Sequence, residues 1–118
     1  MKFISINNIE SQIQDLNEDY KKAKKYVNVY LGDDFLFLKN GFNRYYISYN
    51  SLKYAFRRVM VVPIGKKEIQ VDYLIIADKR KELAQIKLAG RKVAIDIIEE
   101  LKQKAPNANF TCPERIKR

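Results

Sequence analysis

The stretch FLFLKNGFNRYYISY, residues 35–49, gives the clearest folding signal in this chain of 118 residues. Apolar and aromatic residues fill both of its ends, and the dipeptide Asn40-Gly41 separates them. Asparagine and glycine both tolerate the positive φ angles of a tight type I′ turn. The stretch therefore predicts an antiparallel hairpin with its turn at Asn40-Gly41.

Strand-like segments continue on both sides of this hairpin, and short polar turns separate them. Upstream, residues 27–31 lead into Gly32-Asp33-Asp34, whose composition favours a turn. Downstream, Asn50-Ser51 forms another turn signal. Further strands are predicted over residues 52–62, 69–77 and 83–88. Because all connections are short, neighbouring strands should be antiparallel, and we predict one meander of about six to seven strands.

Two amphipathic helices are predicted to flank the strands. In residues 7–27 apolar side chains recur at steps of three and four, and Asn7 with Glu10 fits a capping box. The second helix begins near Gly90 and ends before Pro106, because a residue preceding proline avoids helical geometry. The apolar face of this second helix, expected to pack on the sheet, consists of Val93, Ala94, Ile97, Ile98 and Leu101.

Length and composition indicate a single α+β domain. A chain of 118 residues is too short for two separate cores, and its 47% apolar content is enough for one. We divide the chain into an N-terminal amphipathic helix over residues 1–26, packed on or beside the domain, and a main domain over residues 27–107. Residues 108–118 lack periodicity and are expected to form a loosely held tail.

Several classes of chemistry are excluded by the residues that the chain lacks. There is no histidine and only one cysteine, which excludes histidine-based triads, histidine-ligated metal sites and an internal disulfide. The four glycines lie singly at predicted turns, so no phosphate-binding glycine loop is present. Lone Cys112 has no evident base to activate it. We therefore predict no enzyme activity, no catalytic residues, no metal and no cofactor.

The net charge of +9 is concentrated in the middle of the chain. Residues 35–67 contain seven Lys or Arg and no acid. Such a segment can attract the phosphates of nucleic acid or an acidic membrane surface, although a lysine-rich solvated surface is the simpler explanation. The candidate contacts for an anion or a partner are Arg44, Lys53, Arg57, Arg58, Lys66 and Lys67.

The adjacent arginines 57 and 58 are predicted to point to opposite faces of their strand. One of them must then reach the rim or pair with an acid such as Asp72, which is the structural interpretation. In the functional alternative, Arg44, Lys53 and Arg57 flank one another across paired strands and meet an anion.

The predicted order of elements resembles the pleckstrin-homology-like (PH-like) superfold, in which a C-terminal helix closes one open end of a bent antiparallel barrel. Local similarity to small bacterial PH-like domains of unknown function lies in residues 30–36 (YLGDDFL), 46–58 (YISYNSLKYAFRR) and 97–102 (IIEELK). The resemblance covers residues 27–107. It implies a non-catalytic binding module.

The resemblance also implies where a lipid would bind, because the family's usual phosphoinositide site places Lys and Arg around the first strand hairpin. This chain has Asp33 and Asp34 there. Two carboxylates would repel a phosphorylated headgroup, so the departure argues against a phosphoinositide ligand.

We therefore expect a protein-interaction or scaffolding module, with a protein partner or self-association. The alternative is an anion-binding module for nucleic acid or acidic membrane that uses the basic segment 39–67. The first residues lack a signal-peptide core. The longest apolar stretches, residues 59–64 and 73–77, are far shorter than the roughly 18 residues of a membrane span, so a bacterial cytosolic location is predicted.

Overall fold

Two helices and eight strands make up the computed structural model, which describes residues 2–113. In chain order they are β1 (Phe3–Ser5), α1 (Ile13–Lys22), β2 (Lys24–Lys25), β3 (Val29–Leu31), β4 (Phe35–Asn40), β5 (Asn43–Ser48), β6 (Tyr54–Ile64), β7 (Lys67–Ala77), β8 (Glu82–Lys87) and α2 (Arg91–Lys104). The strands form one sheet with the order β1-β5-β4-β3-β2 and a second with the order β6-β7-β8. The α+β class predicted from the sequence is confirmed.

The hairpin predicted at residues 35–49 forms the middle of the five-stranded sheet. Strands β4 and β5 pair antiparallel over six residue pairs. The two turn residues are Gly41 and Phe42, one position later than predicted, and Gly41 has a φ angle of +64°. Glycine at the first turn position supplies the positive φ that the hairpin needs, which leaves Phe42 fully exposed at the tip.

The prediction of one continuous antiparallel meander is wrong in two respects. Strand β1 pairs with β5 in parallel, and β5 does not pair with β6. The chain leaves the first sheet through a 3-10 turn over Tyr49–Ser51, where the Ser48 hydroxyl accepts a hydrogen bond from the Asn50 N–H. This turn redirects the backbone, so β6 starts a second sheet instead of extending the first.

Helix α1 occupies only the middle of the helix predicted over residues 7–27. Asn7 does not cap it, because the Asn7 side chain accepts hydrogen bonds from the Ser5 hydroxyl and the Ile9 N–H in a local turn. Such local bonds compete with helix formation. The two ends of the predicted apolar stripe, Ile9 and Val27, are 59% and 67% exposed. Among the described residues the first element is instead strand β1, and the predicted helix is corrected at both ends.

Helix α2 agrees with its predicted span and lies against β6 and β7. Ala94, Ile97 and Leu101 on its inner face are fully buried in a core that both sheets share. The helix ends where the Ala105 N–H bonds to the Leu101 carbonyl. Within residues 2–113, neither helix has the length and apolar character required to cross a membrane.

The segment after α2 covers the start of β6. The Asn109 N–H donates to the Lys53 carbonyl at 2.8 Å, and the Ala55 N–H donates to the Asn109 carbonyl at 3.0 Å. Cys112 packs against a cluster that contains Phe56. These contacts hold the first part of the tail predicted over residues 108–118, whereas residues 114–118 lie outside the described residues.

Candidate interaction surface

Strands β6 and β7 are nearly twice as long as the third strand of their sheet. Each has 11 residues, whereas β8 has six and pairs with β7 only from Tyr73 to Ala77. The hairpin therefore continues beyond β8 as a two-stranded segment, residues 59–71, closed by a turn in which Gly65 has a φ angle of +61°. We call this segment the ribbon.

Apolar side chains are exposed on both faces of the ribbon. Because side chains alternate along a strand, Val59 and Val61 share one face and Met60 and Ile64 share the other. Their exposed fractions are 42%, 56%, 43% and 56%, and that of Ile69 is 42%. A sheet with one solvated face normally places polar residues on that face. The β6 half of the ribbon, residues 59–64, therefore has the composition of a buried strand in an exposed position.

The outer edge of β6 has backbone groups available for pairing. Ala55 directs its N–H away from β7, since it donates to Asn109. Alternate residues of an edge strand direct their groups the same way, so Arg57, Val59 and Val61 also face outward. Among the described residues, no backbone hydrogen bond to this edge is found beyond Ala55. Pro63 is also one of the residues whose backbone groups point away from β7. Proline is tolerated there because an outward position on an edge strand needs no N–H for the sheet.

The two adjacent arginines lie at the base of the ribbon and are paired with acids. Arg57 Nε donates to Asp72 Oδ1 at 2.5 Å, and Asp72 is 4% exposed. Arg58 pairs with Glu82 across the sheet. The predicted opposite orientation is confirmed, and of the two outcomes left open, reaching the rim or pairing with an acid, the structure shows the pairing with Asp72. Neither guanidinium is free of an acidic partner, which reduces the positive field that the pair contributes.

Arg44 lies in the other sheet and is packed against aromatic rings. Its guanidinium carbon is 4.1 Å from the Tyr20 ring centroid and 5.5 Å from that of Phe3. Its Nε is buried without a hydrogen-bond partner among the described residues. Since β5 and β6 are not paired, the predicted alignment of Arg44 with Lys53 and Arg57 across neighbouring strands is wrong.

The remaining basic candidates are exposed and lie apart from one another. Lys53 precedes β6 beside Asn109, whereas Lys66 and Lys67 lie at the tip of the ribbon. The six predicted contacts thus lie in four places: against the aromatic rings, before the start of β6, at the base of the ribbon and at its tip. The structure does not combine them into one basic patch.

Substitution of Arg44 tests whether its contacts with the aromatic rings stabilise the fold. We expect Arg44→Ala to lower the free energy of unfolding by about 1–2 kcal/mol, because the ring contacts and the buried stem are lost. Arg44→Lys should recover part of this loss, since an ammonium keeps the charge but cannot stack as a plane. The matched control is Lys39→Ala, at the exposed position opposite Arg44 in β4. Equal urea-unfolding midpoints for Arg44→Ala and Lys39→Ala would contradict the structural role.

An acidic cleft of about 470 Å³ lies where α1 meets the β3–β4 loop, and two of its acids, Asp19 and Asp33, are paired within the fold. Lys22 Nζ is 3.0 Å from Asp33 Oδ2, and this contact holds the pKa of the Asp33 carboxyl below its usual value. The Tyr49 hydroxyl donates to the Gly32 carbonyl at 2.9 Å, and burial raises the pKa of Tyr49 well above its usual value. Within residues 2–113, no three His, Cys, Asp or Glu side chains converge as metal ligands.

The ribbon was missed by the sequence reasoning, although its signal is visible in the run VMVVPI, residues 59–64. The sequence places residues 59–62 at the end of the strand predicted over residues 52–62, and the lack of polar alternation there does not by itself indicate an interaction surface. Comparison with known proteins gives no assignment: no family model, no curated protein and no solved structure matches this chain. Function must therefore be inferred from the surface itself.

Proposed function

We propose that this chain is a non-catalytic, PH-like binding module of the bacterial cytosol that acts through protein–protein contact, with the ribbon as its contact surface. The PH-like part is supported by the order of the elements. Antiparallel strands in two sheets share one core, and a following helix buries Ile97 and Leu101 in it. This order resembles the superfold in layout.

The observation that carries the proposal is the exposure of apolar side chains on both faces of the ribbon. Monomeric proteins rarely expose contiguous apolar patches larger than a few hundred Å² unless the patch has a partner. Complete burial of a Val, Ile or Met side chain contributes about 1.5–3 kcal/mol. A protein partner that covers the ribbon recovers part of this free energy for several side chains at once.

The alternative, an anion-binding module based on residues 39–67, has weaker support. Its bases are dispersed, and Arg57 and Arg58 are paired with acids. Phosphate-led binding is strongest at low ionic strength. Tight, salt-sensitive binding to DNA, RNA or anionic vesicles would favour this alternative over the proposed function.

Site-specific photo-crosslinking in the native cell tests the proposed function. A benzoylphenylalanine residue is placed at Met60 of the ribbon or, as the control, at Ile95 of α2. The two positions are matched, since they are 43% and 39% exposed. We expect protein adducts from Met60 and at least tenfold fewer from Ile95. No adduct from Met60, or equal yields from both positions, would contradict the ribbon as the contact surface.

A further inference from the structure

We infer that the ribbon binds a second copy of this chain, through antiparallel pairing of the two β6 edges about a two-fold axis. This inference rests on the proposed function and names the partner. A two-fold interface uses the same surface on both copies, so the surface must complement itself. An edge strand meets this requirement, because its alternating N–H and C=O groups pair with those of an identical antiparallel strand.

The free length of the edge fixes the register of this pairing. Asn109 occupies the edge at Ala55, and the turn begins after Ile64. The free outward positions are therefore Arg57, Val59, Val61 and Pro63, and the midpoint of this stretch is Met60. An axis at Met60 places Val59 opposite Val61 of the second copy, and these two residues exchange both of their hydrogen bonds.

Pro63 fits the same register. The axis places Pro63 opposite Arg57 of the second copy. There the Pro63 carbonyl accepts a hydrogen bond from the Arg57 N–H, and only the bond that an N–H at position 63 would donate is lost. An axis at Val61 would instead place Pro63 opposite Val59, so that each of the two pairs next to the centre would lack one donor. The same register brings Val62 of one copy alongside the apolar stem of Arg58 in the other, on the face that carries Met60.

The charges at the tip of the ribbon favour antiparallel over parallel pairing. Each chain carries a net charge of +9, and Lys66 and Lys67 lie at the tip of the ribbon. With the axis at Met60, the two copies of Lys66 are about 12 strand positions apart, roughly 40 Å at ~3.4 Å per residue. That separation exceeds the screening length of about 8 Å at physiological salt. Parallel pairing would bring the lysines of both tips side by side.

The expected dimer is reversible. Two paired edges and the side chains beside them form an interface no larger than the low end of the range of about 1,200–2,000 Å² found for specific complexes. We expect a dissociation constant on the order of micromolar, which decreases with added salt because screening reduces the repulsion between two basic chains.

Sedimentation equilibrium on the purified full chain, from about 1 to 500 μM, tests the inference. We expect the wild-type mass to rise from one chain to two, and Val61→Lys to raise the dissociation constant at least tenfold. Val61 is 56% exposed, so this change should leave the circular dichroism spectrum unchanged. The control, Ile95→Lys, adds the same charge elsewhere and should dimerise like the wild type. A wild type that stays monomeric at 500 μM would overturn the inference, whatever Val61→Lys does.

A disulfide test reports the register without relying on Val61→Lys. In a Cys112→Ser background, Met60→Cys places two thiols at a non-hydrogen-bonded pair, where Cα atoms are about 4.5 Å apart and a disulfide can form. Mild oxidation should cross-link Met60→Cys into covalent dimers and leave Ile95→Cys as monomer. Equal cross-linking of both would contradict the register. A monomeric wild type whose Met60 crosslinks only to other proteins in cells would overturn this inference and leave the proposed function standing.

Discussion

Replacing Asp19 with alanine is expected to lower the free energy of unfolding by about 3 kcal/mol, because three backbone N–H groups lose the carboxylate that they bind. Asp19 is 3% exposed on α1. It accepts hydrogen bonds from the N–H groups of Asp33, Asp34 and Phe35 at 2.7, 3.1 and 2.9 Å. This one side chain ties α1 to the β3–β4 loop. Asp19→Asn should also destabilise, since an amide has one acceptor oxygen where the carboxylate has two.

Gly32 lies so close to the Asp19 carboxylate that position 32 has no room for a side chain. A Cβ atom at position 32 would lie 2.0 Å from Asp19 Oδ2, which no atom can occupy without displacing the carboxylate. Gly32→Ala should therefore cost about as much as Asp19→Ala, since both break the same hydrogen bonds. In the double variant the second change should add little, because side chains in direct contact are not additive.

A double-mutant cycle in urea measures this coupling. The matched control is Asp15→Ala, an exposed acid on the same helix, which should change the free energy of unfolding by less than about 0.5 kcal/mol. Strict additivity of the Asp19 and Gly32 changes would contradict the contact. So would a loss from Asp15→Ala as large as that from Asp19→Ala.

Much of the fold follows from short-range patterns in the sequence. Helix α2 was predicted almost to the residue, because its apolar spacing and the flanking Gly90 and Pro106 all act within a few residues. The hairpin at Gly41 was placed correctly to within one residue for the same reason. Where a turn or a cap decides the geometry locally, the sequence contains the necessary information.

The errors arose where distant segments decide the structure. The apolar spacing of residues 7–27 fits one helix, yet the ends of that span make other bonds: Asn7 closes a local turn and Lys24 pairs with Leu31 in β3. The parallel pairing of Phe3 with Arg44 joins residues far apart in the chain. No periodicity within either segment encodes such a pairing.

The candidate surface also depends on distant segments, so the sequence did not identify it. A run such as VMVVPI fits a core strand or an exposed edge equally well, and only the lengths of the neighbouring elements distinguish the two. Strand β8 pairs with β7 no further than Tyr73, and among the described residues Asn109 covers β6 only near Ala55. Arg44 was a candidate contact for an anion or a partner, and its structural role could not be read from the sequence for a similar reason. Its contact with Tyr20 depends on α1 packing over the first sheet.

Truncation of the inner face of α2 is the second change with a large expected effect. Ile97 and Leu101 are 0% exposed, and their spacing of four places them on one face of the helix, in contact with the core. Deletion of a buried Ile or Leu side chain costs about 2–5 kcal/mol, as transfer free energy and as the cavity left behind. We expect Ile97→Ala and Leu101→Ala each to lower the free energy of unfolding by about 3 kcal/mol.

The control for these two changes is Ile95→Ala, which removes the same number of carbon atoms as Ile97→Ala on the exposed side of the helix. It should cost less than about 1 kcal/mol, because Ile95 is already 39% exposed and leaves no closed cavity. Urea unfolding followed by circular dichroism measures all three variants. Because α2 lies against β6 and β7, it supports the base of the ribbon as well as the core. Losses in the free energy of unfolding below about 1 kcal/mol for both Ile97→Ala and Leu101→Ala would contradict the packing of α2 on the sheets. They would equally contradict the support of the ribbon by α2.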